Sequence, residues 1–331
     1  MKRDVYVDFL KGISILAVIV GHSVSHVERL SLLFNIIYSF HMPLLFFLSG
    51  YLEEAVILDK RRNILVKRMK SLLIPYLCWT ILLYAVDLQM PFYINTNQFL
   101  SNLFGYTQNG LWFLPVLFGL KCMHCCLWKI QNKNKDNLLI KTIINLVIIE
   151  LIIISLAVIT RLPYVINMVS YAIPYFFGVI LQCNAQCRRL IRHEGIITSS
   201  IIAYFAGMHW FSFHNTDWTT QVLRIGLSLC VIVVLYNCRG IFEKAQNNGL
   251  NRAICYFGRN SMGIYLLHGR FNDYVAIYSI IESSLVSGIF SVFMAVITAF
   301  LCTVIMKILS VSSCISSLLF GSVPKKEKVS V

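Results

Sequence analysis

Charge is what this sequence has little of. Only 13% of its 331 residues are Asp, Glu, Lys or Arg, while 57% are hydrophobic. A typical soluble domain carries about 25% charged residues. So few charges cannot cover the surface of a soluble fold this long. Lipid as the solvent removes that requirement, because apolar side chains then face outward. Acidic residues are scarcer still, 15 against 29 basic ones. The resulting charge of +14 does not mark a nucleic-acid binder, because the basic residues come in short clusters between apolar runs. No internal repeat is visible, which weakens a transporter built from inverted halves. The paired spacing of a structural zinc site is also missing, both around Cys122, His124, Cys125 and Cys126 and around Cys183, Cys187 and His193, so no metal is expected. The cysteines read as buried soft hydrophobes or cytoplasmic thiols. No cleavable signal peptide is expected, since Asp8 and Lys11 interrupt the first apolar run and no small-residue cleavage site follows it.

What is there is a succession of apolar runs. Read with a window of about 19 residues, they fall near 7–26, 32–52, 71–88, 111–129, 138–160, 165–183, 195–213, 218–237, 260–279 and 285–310. The expected fold is an all-α polytopic transmembrane bundle of about ten helices, forming one domain over 1–331. Residues 311–331 would be a basic cytoplasmic tail. Lysine and arginine orient it. Lys2 and Arg3 precede the first run, Lys60 to Lys70 follow the second, and Lys129 to Lys141 the fourth. Arg188 to Arg192 follow the sixth, Arg239 to Arg259 the eighth, and Lys325 to Lys328 the last. The other face carries only Arg29, Arg161 and Arg270. The positive-inside rule therefore puts both termini in the cytoplasm of a multi-pass protein of the cell (inner or plasma) membrane. The far-side segment 89–110 is polar and aromatic without a basic residue, and reads equally as a cover over a site or as a connector.

Ionisable groups inside lipid are costly, which makes them functional candidates. Asp8 and Lys11 share a face of the first helix and are placed to pair. Lys11 and His22 also share a face, being eleven residues apart, about 16 Å along the axis at 1.5 Å per residue. That span is comparable to an extended pantetheine arm. A cation at the cytoplasmic mouth suits the phosphates of CoA. An imidazole deeper in the bilayer suits the removal of a hydroxyl proton near neutral pH. Two readings of His22 stand, a catalytic base and a hydrogen bonder between helices. His41, two residues before Pro43, is placed at the depth of His22, either facing a shared cavity with it or stabilising a proline kink. Ser49 and Gly50 permit close helix approach. Lys121 and Glu150, at similar depths on adjacent runs, are placed to form a buried ion pair. Arg224 has no obvious partner. Ser261, Tyr265 and His268 make a polar stripe at spacings of four and three.

Taken together, these residues resemble the acyltransferase-3 family of membrane acyltransferases, which O-acetylate bacterial polysaccharides and related sugars. Asp8-Phe9-Leu10-Lys11-Gly12, ending at His22, is similar to the family's first-helix signature, a basic residue, ten others, then histidine. Phe40-His41-Met42-Pro43 through Ser49-Gly50-Tyr51 is similar to its second-helix motif. Lys67-Arg68 followed by Leu72-Leu73-Ile74-Pro75-Tyr76 resembles the basic motif ahead of its third helix. Leu111-Trp112-Phe113-Leu114 and Ser261 through His268 are also similar to family segments. There are departures. Ser71 stands where an Arg-x-x-Arg motif would put its second arginine, and the first-helix basic residue is lysine rather than the commoner arginine.

The resemblance implies transfer of an acetyl group from acetyl-CoA to a hydroxyl of a cell-surface polysaccharide or its sugar precursor. It implies His22 as the base, and Lys11 and Arg68 in donor binding. To these the sequence reading adds Asp8 to orient Lys11, and Arg61 as a further contact to the donor's phosphates. His41, Trp112, Tyr265, His268 and Ser49 are candidates for shaping the cavity or stabilising the oxyanion. Helices one, two, three and nine are expected to line that cavity. Acetyl-CoA would be a donor substrate, with no cofactor bound permanently. The partners would be that donor, a carbohydrate acceptor and the bilayer. No serine or cysteine nucleophile has a base at recognisable spacing, so direct transfer is expected. The rival reading is a transporter or flippase for polysaccharide intermediates.

Overall fold

In a computed structural model, every regular element among the described residues is helical. Those residues are 3–53, 64–87, 110–131, 138–161, 163–215, 217–271, 278 and 280–321. Helix α1 (Val5–Val24) opens on Asp4, whose carboxylate accepts from the amides of Tyr6 at 3.0 Å and Val7 at 3.4 Å. It thereby satisfies two donors that a helix start leaves without partners. A 3-10 turn, Glu28–Leu30, sends the chain back along α2 (Ser31–Tyr51). Next come α3 (Ile64–Arg68), a π-helical turn (Met69–Leu73) and α4 (Ile74–Asp87). Helices α5 (Phe113–Gln131), α6 (Leu138–Thr160) and α7 (Pro163–Cys183) follow. The short α8 (Ala185–Ile191) precedes α9 (Glu194–Met208) and α10 (Trp218–Asn237). The chain continues through α11 (Arg239–Ala245), α12 (Gly249–Arg259) and α13 (Ser261–Leu267), and then α14 (Ser284–Leu309) and α15 (Ser313–Phe320).

Six stretches among the described residues are long and apolar enough to cross a membrane: Val5–Val24, Glu28–Tyr51, Leu139–Thr160, Val165–Cys183, Trp218–Asn237 and Ser284–Leu309. Phe113–Cys126 and Glu194–Met208 are apolar but shorter. The expected third run is two helices joined by the π turn. The expected ninth run begins with α13, and the separate helix α12 lies in the basic loop ahead of it. The segment taken for a basic tail contains α15, which packs on α4, where the Trp79 indole N–H donates to the Leu319 carbonyl at 2.9 Å.

Glycine sets the closest helix crossings. A Cβ on Gly258 would lie 1.7 Å from the carbonyl oxygen of Asp8, and one on Gly12 2.1 Å from that of Ile254. This draws α12 against the first half of α1. Gly50 and Gly178 do the same for α2 and α7, where added Cβ atoms would fall 1.9 Å from the Tyr175 oxygen and 2.1 Å from the Phe47 oxygen. Contact this close is how helices associate where lipid supplies no hydrophobic drive. At the end of the bundle where α1 starts, Asp4 pairs with Arg239 at 2.6 Å, closing α1 onto α11. At the opposite end Arg29 bonds the Tyr278 carbonyl and the Ser287 hydroxyl, tying the α1–α2 turn to α14. Also at that end, Asp217 precedes α10 and accepts from the hydroxyls of Thr219 and Thr220. Those bonds hold its carboxyl below the usual carboxylate range.

Candidate active site

Where α1, α2, the π turn, α5 and α13 converge, they enclose a cavity of about 140 Å³. That is close to the size of an engineered protein cavity that holds one benzene molecule, so the acyl end of a thioester fits. Its polar wall is Lys11, Ser49, Ser261 and Tyr265, and its apolar wall includes Ile15, Leu45, Leu72 and Phe113. Helix α5 was not among the helices expected to line the cavity. Ser49 faces the cavity, whereas the close approach to α7 is made by Gly50.

Lys11 enters the cavity, and Asp8 is near enough to attract it electrostatically, with no direct ion pair between them among the described residues. The Asp8 carboxylate also accepts hydrogen bonds from Arg3, with contacts of 2.6 and 3.0 Å. Lys121 is near enough to Lys11 to repel it electrostatically. Tyr265 is held firmly, its hydroxyl donating to the Gly110 carbonyl and accepting from the Phe113 amide at 3.2 Å. These bonds fix the start of α5 against α13.

From Tyr265 a line of rings leads away from Lys11. The Tyr265 and His268 rings are 5.8 Å apart, and those of His268 and His22 are 5.3 Å apart. His268 is buried, and its Nδ1–H donates to the Tyr265 carbonyl at 2.7 Å. That bond leaves Nε2 as the acceptor in the neutral ring. His22 keeps some accessible surface in surroundings crowded by protein, and its ring makes no hydrogen bond among the described residues. His41 is near enough to His22 for the two to interact electrostatically. Tyr38 stands between the two, 6.4 Å from the His22 ring and 4.8 Å from that of His41. The Nδ1–H of His41 bonds the Ile37 carbonyl at 2.7 Å within its own helix. The imidazole in direct ring contact with His22 is His268. Trp112 is not on the cavity wall but behind it, stacked on Tyr171 at 5.1 Å and Phe46 at 6.4 Å.

Arg68 is also placed elsewhere. It is buried and ion-paired with Glu53, and its Nη1 donates to the Lys121 carbonyl at 2.5 Å. The Lys121 ammonium binds the other Glu53 oxygen. The expected Lys121–Glu150 pair is not formed. Glu150 makes no hydrogen bond among the described residues. The Glu53 cluster lies one helical turn from Leu72 and Leu117, which line the cavity, so it braces the wall from outside. Glu53 carried a sequence signal that passed unread, an acid three residues beyond Gly50 at the end of an apolar helix. Arg61 lies outside the described residues.

A helical bundle of this hydrophobicity, enclosing a lysine-bearing cavity with imidazoles beyond one end, defines a polytopic membrane protein with the makings of an acid–base site. Residues 4–311 match the family described as an acyltransferase domain. The chain belongs to that acyltransferase-3 family. It is 30% identical over 215 residues to nodulation protein NolL of Sinorhizobium fredii, covering 60% of this chain and 55% of that protein. It is 40% identical over 93 residues to nodulation protein NolL of Mesorhizobium japonicum, covering 26% and 25%. The chain thus spans about half the length of the first of these relatives, or less in the second. No solved structure matches it.

Proposed function

We propose that the protein is an integral membrane O-acyltransferase that moves an acetyl group from acetyl-CoA to a hydroxyl of a cell-surface polysaccharide or its sugar precursor. The observation that carries this reading is the layout along α1, with Lys11 in the cavity and, beyond the cavity's other end, His22, whose ring makes no hydrogen bond among the described residues. The donor enters from the Lys11 end, which on charge distribution is cytoplasmic, as are both termini in the cell membrane. Lys11 meets its phosphates as a point charge. Arg68 acts at a distance, through the Glu53 cluster. The acceptor hydroxyl meets His22, which takes its proton as the oxygen attacks the thioester carbonyl carbon. The C–S bond then breaks and the thiolate of CoA takes up a proton, leaving an O-acetyl ester and free CoA. His268 stands beside His22 with Nε2 as an acceptor, and Tyr265 fixes His268 through its backbone carbonyl.

The test is transfer of radiolabelled acetyl from acetyl-CoA into cell-envelope carbohydrate by membranes carrying wild-type protein or His22→Ala at matched abundance. Label incorporated by wild type and lost in the variant is expected. Equal incorporation by both, above the background of membranes lacking the protein, removes His22 as the base. No incorporation by either, with a range of envelope acceptors supplied, overturns the acyltransferase reading in favour of a transporter.

A further inference from the structure

Arg224 takes no part in the donor binding or proton transfer proposed above. It lies in the second turn of α10 and is 8% exposed. Its Nη2 donates to the Tyr171 hydroxyl. The guanidinium carbon lies 5.1 Å from the centre of the Tyr171 ring and 5.4 Å from that of Phe213. Among the described residues it has no carboxylate partner and no second hydrogen-bond acceptor. A guanidinium offers five N–H donors in a rigid fork, and one of them is used among the described residues. Two aromatic faces offset part of the cost of taking this cation out of water, but a buried cation without an anion remains costly and marks a functional position.

Tyr171 is itself fixed, stacked on Phe46 at 4.5 Å and on Trp112 at 5.1 Å, so the guanidinium is held against a rigid aromatic wall. On the other side Phe213 lies 4.4 Å from Tyr38, and Tyr38 lies 6.4 Å from His22. A group held by Arg224 is therefore two ring contacts from the His22 imidazole, at the end of the bundle opposite Asp4 and Arg239.

We propose that Arg224, clasped by Tyr171 and Phe213, binds an anionic group, carboxylate or phosphate, carried by the carbohydrate acceptor. The word acceptor rests on the acyl-transfer reading, while the anion site does not. A planar fork meeting either oxyanion makes two parallel hydrogen bonds. Such a subsite would select acidic or phosphorylated sugars over neutral ones, and would hold the sugar while a neighbouring hydroxyl reaches His22.

The test uses the full chain purified in detergent, with ligand-induced thermal stabilisation as the readout. The probes are glucuronate, glucose 1-phosphate, glucose and acetyl-CoA. Wild type should be stabilised by glucuronate, glucose 1-phosphate or both at concentrations where glucose has no effect, and the two anionic arms separate carboxylate from phosphate. Arg224→Gln should weaken that binding by about thirtyfold or more, the range seen when one partner of a buried charge pair is removed, and should keep stabilisation by acetyl-CoA. Lys11→Gln should do the reverse. Tyr171→Phe, which frees a donor on Arg224, should bind the anionic sugar at least as tightly as wild type. If Arg224→Gln does not accumulate, Arg224→Lys decides, with anionic sugars expected to bind about tenfold more weakly because the fork is lost. The proposal is overturned if glucose matches the anionic sugars, if no sugar stabilises wild type, or if the Arg224 variants keep wild-type affinity. Loss of the acetyl-CoA response alone would count against the acyl-transfer reading and leave the anion site standing.

Discussion

Replacing Glu53 with glutamine should unfold this protein more readily than any other single isosteric change in the described bundle. The Glu53 side chain is 1% exposed and lies between Arg68 at 7% and Lys121 at 16%. One carboxylate thus joins the end of α2 to α3 and to the middle of α5. Glutamine keeps the shape and one acceptor, but leaves two cations facing each other out of water. Removing one partner of a buried ion pair typically costs about 3–5 kcal/mol. A loss of about 3 kcal/mol lowers the ratio of folded to unfolded molecules by more than a hundredfold. Denaturant titration in mixed micelles, followed by tryptophan fluorescence, measures the difference. Adding Lys121→Met to Glu53→Gln should recover at least half of the loss, because one stranded cation is replaced by an apolar side chain that packs in its place. The reasoning is refuted if Glu53→Gln costs less than about 0.5 kcal/mol, the range of an ordinary surface change, or if the two substitutions simply add.

Other outcomes follow from the same geometry. Lys11→Gln should raise the KM for acetyl-CoA about tenfold or more, the worth of one charge-assisted hydrogen bond, with kcat little changed; steady-state assays over a range of donor concentrations read this directly. Gly258→Ala should fail to fold or lose about 1–3 kcal/mol, because its Cβ would meet the Asp8 backbone oxygen at 1.7 Å and neither backbone can yield; the yield of monodisperse protein in detergent and its unfolding midpoint report it. Tyr265→Phe removes the bonds to Gly110 and Phe113 and should cost about 1–2 kcal/mol, with proteolysis near residue 110 accelerated where the start of α5 is released.

The sequence alone located the helices, because bilayer thickness fixes the length of an apolar run and every backbone group in lipid must bond within its own helix. The observed helices fall within a few residues of most of the expected runs. It also singled out Lys11, Ser49 and Tyr265, which the structure brings to one cavity, because polar groups are rare in apolar helices and helical spacing shows which of them share a face. Hydropathy passed over α12, because it carries Arg252 and Arg259 and is polar on one face. What holds α12 against α1 is a glycine contact, which hydropathy does not register. Pairing between helices was decided only in three dimensions. Depth along the bilayer suggested Glu150 for Lys121 and His41 for His22, but rotation about each helix axis chose Glu53 and His268. Local periodicity fixes where a side chain points on its own helix. Which neighbour waits there depends on how helices distant in sequence pack, and that is set by the summed contacts of the whole bundle.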